Sequence, residues 1–332
     1  MPPYSFDQLM QFIWPGLAVA QSIYTAAKLG IADHLAYGPK TADELAQATH
    51  GDPSSLKRLL RMLDTLGLFA LDSRGAFRNT TTGEMLRSDH PSSVRQALLN
   101  NLSPMFWRPM GELYESVRSG QPAFDHIFGQ SFFDWLSQHP VESDTFATSM
   151  NAATQAAVPL ILSGWDFSPY GVIVDVGGGH GALLAGILSA YPHTRGLLYD
   201  LPSVTAGARA LQTGPLAARC EVVSGNFFNS IPQRGDAYLL RSVVHDWNDE
   251  DALKILRNCR HAMRPGTTLL LVEYLLNRGS ITELLDLHMM VLTGGRERTL
   301  PDYQALLGQA GFRLTRVAYT AGPAIIESLA VQ

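Results

Sequence analysis

With 332 residues, 46% hydrophobic and 17% charged, the chain is long enough for two domains with separate cores and too apolar to be disordered. A net charge of −5 gives no general attraction to nucleic acid or to acidic membranes. The two cysteines, Cys220 and Cys259, fit neither a metal spacing nor a disulfide framework, which points to a reducing, cytoplasmic setting.

The first cationic side chain is Lys28, so the positive start of a signal peptide is missing, and the apolar stretch from Phe12 to Ala20 is too short to cross a bilayer. Up to about residue 165 the chain reads as almost entirely helical. Leu9, Phe12, Ile13, Leu17, Ile23 and Ala27 recur at helical spacing and predict a face that is buried or covered by a partner. Thr41 to Glu44 is a capping box opening a short helix. A second helix starts around Asp52-Pro53, places Leu56, Leu59, Leu60, Leu63 and Leu66 on one face, and stops at Gly67. Leu68 to Leu71 and Ala76 to Asn79 flank Asp72-Ser-Arg-Gly75 and predict a hairpin. Helix, helix, hairpin is the order of a winged helix. Residues 41–90 nevertheless hold six Lys/Arg against seven Asp/Glu, so the basic footprint of a DNA reader is absent, and packing or dimerisation is the expected role.

From about residue 172 strands and helices alternate. Candidate strands cover 172–176, 196–200, 220–225, 236–244 and 267–274, and a helix capped by Asn248 or Asp249 runs to Met263. Continuous apolar strands in such alternation predict a parallel sheet covered on both faces. The tail differs: Phe312 to Tyr319 and Ala324 to Val331 are predicted to pair as an antiparallel hairpin. The expected domains are a winged-helix-like unit over 1–100, a helical linker and pocket segment over 101–165, and an α/β Rossmann-like domain over 166–332.

The chemistry gathers at strand ends. Val176 leads into Gly177-x-Gly179-x-Gly181, where glycines let a backbone turn tightly against a ligand. Asp200 ends the next apolar run, where a carboxylate can grip two ribose hydroxyls. The glycine spacing is tighter than the dinucleotide fingerprint, and Asp175 precedes it where a carboxylate can help hold an ammonium group. With the antiparallel tail, these details favour S-adenosylmethionine over a dinucleotide.

Together, Val174-Asp-Val-Gly-Gly-Gly-His-Gly181, Tyr199-Asp-Leu-Pro202, Gly225-Asn-Phe-Phe228, Leu240-Arg-Ser-Val-Val-His-Asp-Trp247 and Gly294-Gly-Arg-Glu-Arg-Thr299 form an ordered set. On these segments the chain, from Ser5 onward, resembles the S-adenosylmethionine-dependent small-molecule O-methyltransferases, the group containing caffeic acid and hydroxyindole O-methyltransferases. The resemblance implies a class I methyltransferase fold and a homodimer interlocked through the amino-terminal helices. It implies that the loop at Gly177 and Gly179 holds the methionine part, Asp200 with Leu201 the ribose, and Asn226 with Phe227 the adenine, with the backbone near Arg241 beside the cofactor carboxylate. The family usually has Asp where this chain has Asn226.

The resemblance makes His245 the general base, with Glu273 and Glu297 flanking it. Either glutamate can accept the second ring N–H and fix the tautomer. A phenol ionises near ~10 and imidazole near ~6.5, a gap of about 5 kcal/mol for full proton transfer. A carboxylate beside the imidazole narrows it. The acceptor expected is a small aromatic or polyketide-like molecule, lined by Trp107, Met150, Asn151 and Met290. His180 and His288 read as structural, and no cluster calls for a metal. Methylation of nitrogen or carbon on the same scaffold, and a ligand-sensing winged-helix regulator, are the alternatives.

Overall fold

The computed structural model describes residues 5–331, with the side chains at positions 8, 11, 12, 14 and 280 left out, so Phe12's place in the apolar face above lies outside the described residues. Two compact units divide the chain, one ending at Trp107 and the other beginning at Arg108.

In the first unit, both ends of the predicted capping box are formed: Glu44 N–H donates to the Thr41 hydroxyl, and Thr41 N–H donates to the Glu44 carboxylate at 2.7 Å. The Pro53–Thr65 helix starts after Asp52, whose side chain accepts from Ser55 N–H. Its buried stripe is narrower than the leucine spacing predicts. Leu56, Leu60 and Leu63 are buried, Leu59 is half-buried, and Leu66 is exposed because it stands at the helix end rather than on the inward face. The hairpin forms as β2 (Phe69–Leu71) and β3 (Ala76–Asn79), and β1 (Lys40–Thr41) adds to its other edge, so Thr41 is both a cap and a strand residue. The long Phe6–Leu29 helix buries Ala26 and Ala27 but leaves Phe6, Leu9, Ile13 and Leu17 exposed. Of the two expectations for this stripe, burial within the chain fails there.

The second unit holds a seven-stranded sheet ordered β6-β5-β4-β7-β8-β10-β9, from β4 (Val172–Val176), β5 (Arg195–Asp200), β6 (Cys220–Ser224), β7 (Ala237–Arg241), β8 (Thr268–Glu273), β9 (Phe312–Tyr319) and β10 (Ala324–Ala330). β4 to β8 run parallel and β10 and β9 are antiparallel, as the tail predicts. Alternate residues feed two cores. Val174, Val176 and Leu240 pack against Ile255, Leu256 and Leu307 on one face. Ile173, Leu239 and Leu270 pack against Leu183, Ile187 and Leu188 on the other. The strand order reverses between β4 and β7, so the cleft at a topological switch point opens where β4 gives way to the glycine loop.

One predicted strand is too long. Residues 236–244 do not remain extended: β7 ends at Arg241, Ser242 takes a left-handed φ of 50°, and a 3-10 turn covers Val244–Asp246. His245 therefore sits on a turn beyond the sheet edge, not at the end of a strand.

Leu60→Ala, at a fully buried position, is expected to cost roughly 2–5 kcal/mol by chemical denaturation. Leu66→Ala is expected to cost under about 1 kcal/mol, and equal costs would restore the wider stripe.

Candidate active site

The glycine loop is braced by an acid from the neighbouring strand. Gly177 and Gly179 lie at φ 67° and 62°, a region closed to most side chains. Asp200 Oδ2 accepts from Gly179 N–H at 2.8 Å and Oδ1 from Leu201 N–H at 2.7 Å. Burial pushes the Asp200 carboxyl up, and these two amides with the nearby His180 pull it back. Each oxygen keeps a lone pair for a ligand. The His180 ring fills the space a β-carbon on Gly207 would need, so this histidine packs against the loop after β5.

Near the loop a buried acid and a half-buried base make no ion pair among the described residues. Asp175, 1% exposed, lies beneath Gly178, and both its carboxyl oxygens are buried without a hydrogen-bond partner. Burial, then the charge of Asp200, pushes it up to about 7, with Arg241 opposing. Arg241 donates from Nη1 to the Thr154 hydroxyl at 2.7 Å, while its Nε is buried and unpartnered. Burial lowers its pKa, and among the described residues it makes no ion pair. Asp175 is opposite Leu239 across β4 and β7, so Arg241, two residues further on, projects from the same face.

On the far side of the loop, Asn226 Oδ1 accepts from Phe228 N–H at 2.9 Å, closing a turn. Asn258 ties that turn down through the carbonyls of Phe227 and Phe228, at 2.8 and 2.9 Å. The oxygen assigned to adenine thus already serves the backbone and has one lone pair left. Trp247 meets Phe228 edge-on at 4.6 Å and stacks on Phe133 at 5.4 Å. Sequence reading quoted Trp247 within a motif but gave it no role.

The imidazole is the most constrained group. His245 Nδ1 lies 2.7 Å from Glu297 Oε1, and since a carboxylate can only accept, Nδ1–H donates and Nε2 keeps the lone pair when the ring is neutral. Asp246 Oδ1 stands 3.5 Å from Nε2. Burial disfavours the charged ring, but the carboxylates of Asp246, Glu273 and Glu297 outweigh it and lift His245 to about 10. Burial likewise pushes Asp246 up to about 6 and Glu273 to about 7, with His245 opposing both.

Of the two glutamates, only Glu297 meets the ring. Glu273 Oε1 instead accepts from Val243 and Val244 N–H at 3.2 and 3.0 Å, capping amides that the left-handed Ser242 turns out of the ladder. Arg296 and Arg298 pair with Asp249, not with Glu297. Among the described residues no group of His, Cys, Asp or Glu is arranged to hold a metal ion.

Comparison with known proteins shows the family. The O-methyltransferase domain profile matches residues 110–313, and the O-methyltransferase dimerisation domain profile matches 13–89. The chain belongs to the O-methyltransferase family. It is 39% identical to a phenazine O-methyltransferase, PhzM, of Lysobacter antibioticus over 96% of this chain and 95% of that one. It is 38% identical to the 8-amino-8-demethylriboflavin N,N-dimethyltransferase of Streptomyces davaonensis over 94% of this chain and 92% of that one. A crystal structure of a neocarzinostatin-biosynthesis O-methyltransferase, in complex with S-adenosyl-L-homocysteine and 1,4-dihydroxy-2-naphthoic acid, superimposes with a TM-score of 0.87 at 36% identity, covering 95% of this chain and 96% of that one.

The expected acceptor residues of this O-methyltransferase are less tightly gathered. Trp107 is half-buried on the Pro104–Gly111 helix, at the end of the first unit. Met150 is exposed and Asn151 half-buried on the Pro140–Gly164 helix, and Met290 is half-buried on the Ser280–Leu292 helix. No side-chain hydrogen bond or ring contact joins the last three.

Glu273→Ala is expected to leave two amides without an acceptor, costing about 1–3 kcal/mol for each. Glu273→Gln keeps an acceptor oxygen, and its melting temperature should stay closer to wild type. A larger loss in the glutamine variant would show that the charge, not the acceptor, holds the turn.

Proposed function

We propose that this O-methyltransferase transfers a methyl group from S-adenosylmethionine to a hydroxyl of a small aromatic or polyketide-like acceptor, with His245 as general base. The observation that carries the reading is the His245–Glu297 bond, which leaves Nε2 as the ring's basic nitrogen. The carboxylates around His245 raise its affinity for a proton toward that of a phenol, which narrows the gap for proton transfer.

The residues present fit the cofactor. Asp175 is a buried acid and Arg241 a half-buried base with an unpartnered Nε, the complement of an α-ammonium and an α-carboxylate. Gly177 and Gly179 leave backbone space, Asp200 and Leu201 suit a ribose, and Asn226 with Phe227 suits an adenine. When bound, S-adenosylmethionine supplies a methyl on a cationic sulfur, whose charge opposes a second charge on His245. Glu297 fixes the tautomer, His245 Nε2 takes the hydroxyl proton, and the residues lining the cleft exclude water. We assign residues 166–332 to the cofactor, 101–165 to the acceptor through Trp107, Met150 and Asn151 with Met290 from beyond, and 1–100 to pairing two copies.

A neutral imidazole is required, and below about 10 the ring is increasingly protonated. The expected profile of log(kcat/KM) for a phenolic acceptor therefore falls on the acid side, with a slope approaching one. Glu297→Gln removes the charge while keeping an acceptor oxygen, so that limb should move to lower pH while the plateau drops. His245→Ala is expected to lower kcat by about 10²- to 10⁴-fold, and undiminished turnover of phenols would remove the base.

A second reading rests on the riboflavin relative, a named N,N-dimethyltransferase. An amine already carries a lone pair, so methylation of an arylamine that survives in His245→Ala would favour nitrogen as the acceptor atom.

The homodimer is read from the matched dimerisation profile and from the exposed stripe of Phe6, Leu9, Ile13 and Leu17. Light scattering is expected to give about twice 36.3 kDa, reduced to one chain's mass by Ile13→Asp with Leu17→Asp.

A further inference from the structure

The segment following Gly294 touches the His245 turn at every residue. A β-carbon on Gly295 would lie 2.2 Å from the His245 carbonyl oxygen and 2.4 Å from the Asp246 carbonyl carbon, so the two backbones run flush. Arg296 N–H donates to that same His245 carbonyl at 2.8 Å. Glu297 takes the ring.

Arg298 closes the arrangement. Its side chain is 1% exposed, yet its donors find no carboxylate of the site. Nη1 donates to Val244 O at 2.9 Å and Nη2 to Trp247 O at 2.9 Å, while Nε and Nη2 hold Asp249 Oδ1 at 3.0 and 2.7 Å. Its own carbonyl accepts from Leu276 N–H at 3.0 Å, beyond the end of β8. Val244 and Trp247 stand on either side of His245 and Asp246, so one planar guanidinium spans the turn that carries the imidazole. Burying a guanidinium is costly, and an apolar side chain would fill the same space without that cost. What an apolar side chain lacks is a rigid fork with donors at fixed angles.

We infer that Arg298 is a positioning residue for the reaction: its fork fixes the backbone on both sides of His245, so that Nδ1 meets Glu297 and Nε2 is held toward the acceptor. This rests on His245 being the base. The end of β8 supports the turn from the other direction through Glu273, so the imidazole hangs between two anchors drawn from β8 and from the 294–299 segment.

The test compares Arg298→Ala, Arg298→Lys and Asp249→Asn with His245→Ala and Glu297→Gln, measuring kcat, KM and the pH profile. A displacement of the imidazole by about 1 Å corresponds to about a 10²-fold loss of kcat, which is expected for Arg298→Ala. The KM for S-adenosylmethionine should stay within about twofold. The acid limb should move to lower pH, because a looser His245–Glu297 bond lowers the ring's pKa, and a structural defect alone would not move it. Added guanidinium at low concentration should restore part of kcat in Arg298→Ala and none in Glu297→Gln. Arg298→Lys, with one point donor, should recover less than half of the lost kcat on a logarithmic scale. If Arg298→Ala does not fold, Asp249→Asn carries the test from an exposed position, with a smaller kcat loss and the same limb shift expected. An unmoved limb in the folded variants, with His245→Ala inactive, overturns the positioning role alone. Full turnover by His245→Ala overturns the base on which it rests.

Discussion

A hydrogen bond of 2.7 Å between a buried imidazole and a buried carboxylate, His245 to Glu297, is the constraint around which the rest of the second unit is arranged. Either group alone in that setting would be expensive, because burial disfavours both charges. Paired, they offset each other's burial, and the chain braces that geometry from two separate stretches, β8 and the 294–299 segment. Glu273 caps the amides before the histidine, Arg298 holds carbonyls on both sides of it, and Gly295 lets the second backbone come close enough.

The same logic, reversed, describes the cofactor side. The Asp175 carboxyl and the Arg241 Nε are buried without a partner, and both sit on one face at the β4 and β7 end of the sheet. Unpaired buried charges destabilise a protein and are retained where a ligand completes them. One end of the cleft is therefore saturated with internal hydrogen bonds, while at the other Asp175 and the Arg241 Nε keep unpartnered polar atoms.

Trp247 links the two ends. It follows the histidine by two residues, meets Phe228 beside the adenine segment and stacks on Phe133 of the Phe132–Gln138 helix. Its ring joins the His245 turn, the Asn226–Phe228 turn and the Phe132–Gln138 helix in one aromatic contact, which accounts for a large side chain directly behind the acid of that motif.

The sequence by itself determined the elements and the edge on which the chemistry gathers, because both follow from local rules. Capping boxes, glycine breaks and apolar runs are short-range signals, and they located the Thr41 cap, β4 and the terminal hairpin. Strand C-termini share one edge in a parallel sheet, so Asp200 and the glycine loop were bound to meet. Tertiary structure alone decided how the polar groups divide their bonds. Whether Glu273 or Glu297 takes the imidazole depends on Ser242 entering a left-handed conformation and turning two amides toward one of them. Arg298 was invisible as a participant because its carbonyl partners lie about fifty residues away, and backbone acceptors leave no mark in a sequence. The expected acceptor lining was the least legible part, since Met150 and Asn151 come from one helix and Met290 from another, and side-chain period cannot tell a pocket wall from a core.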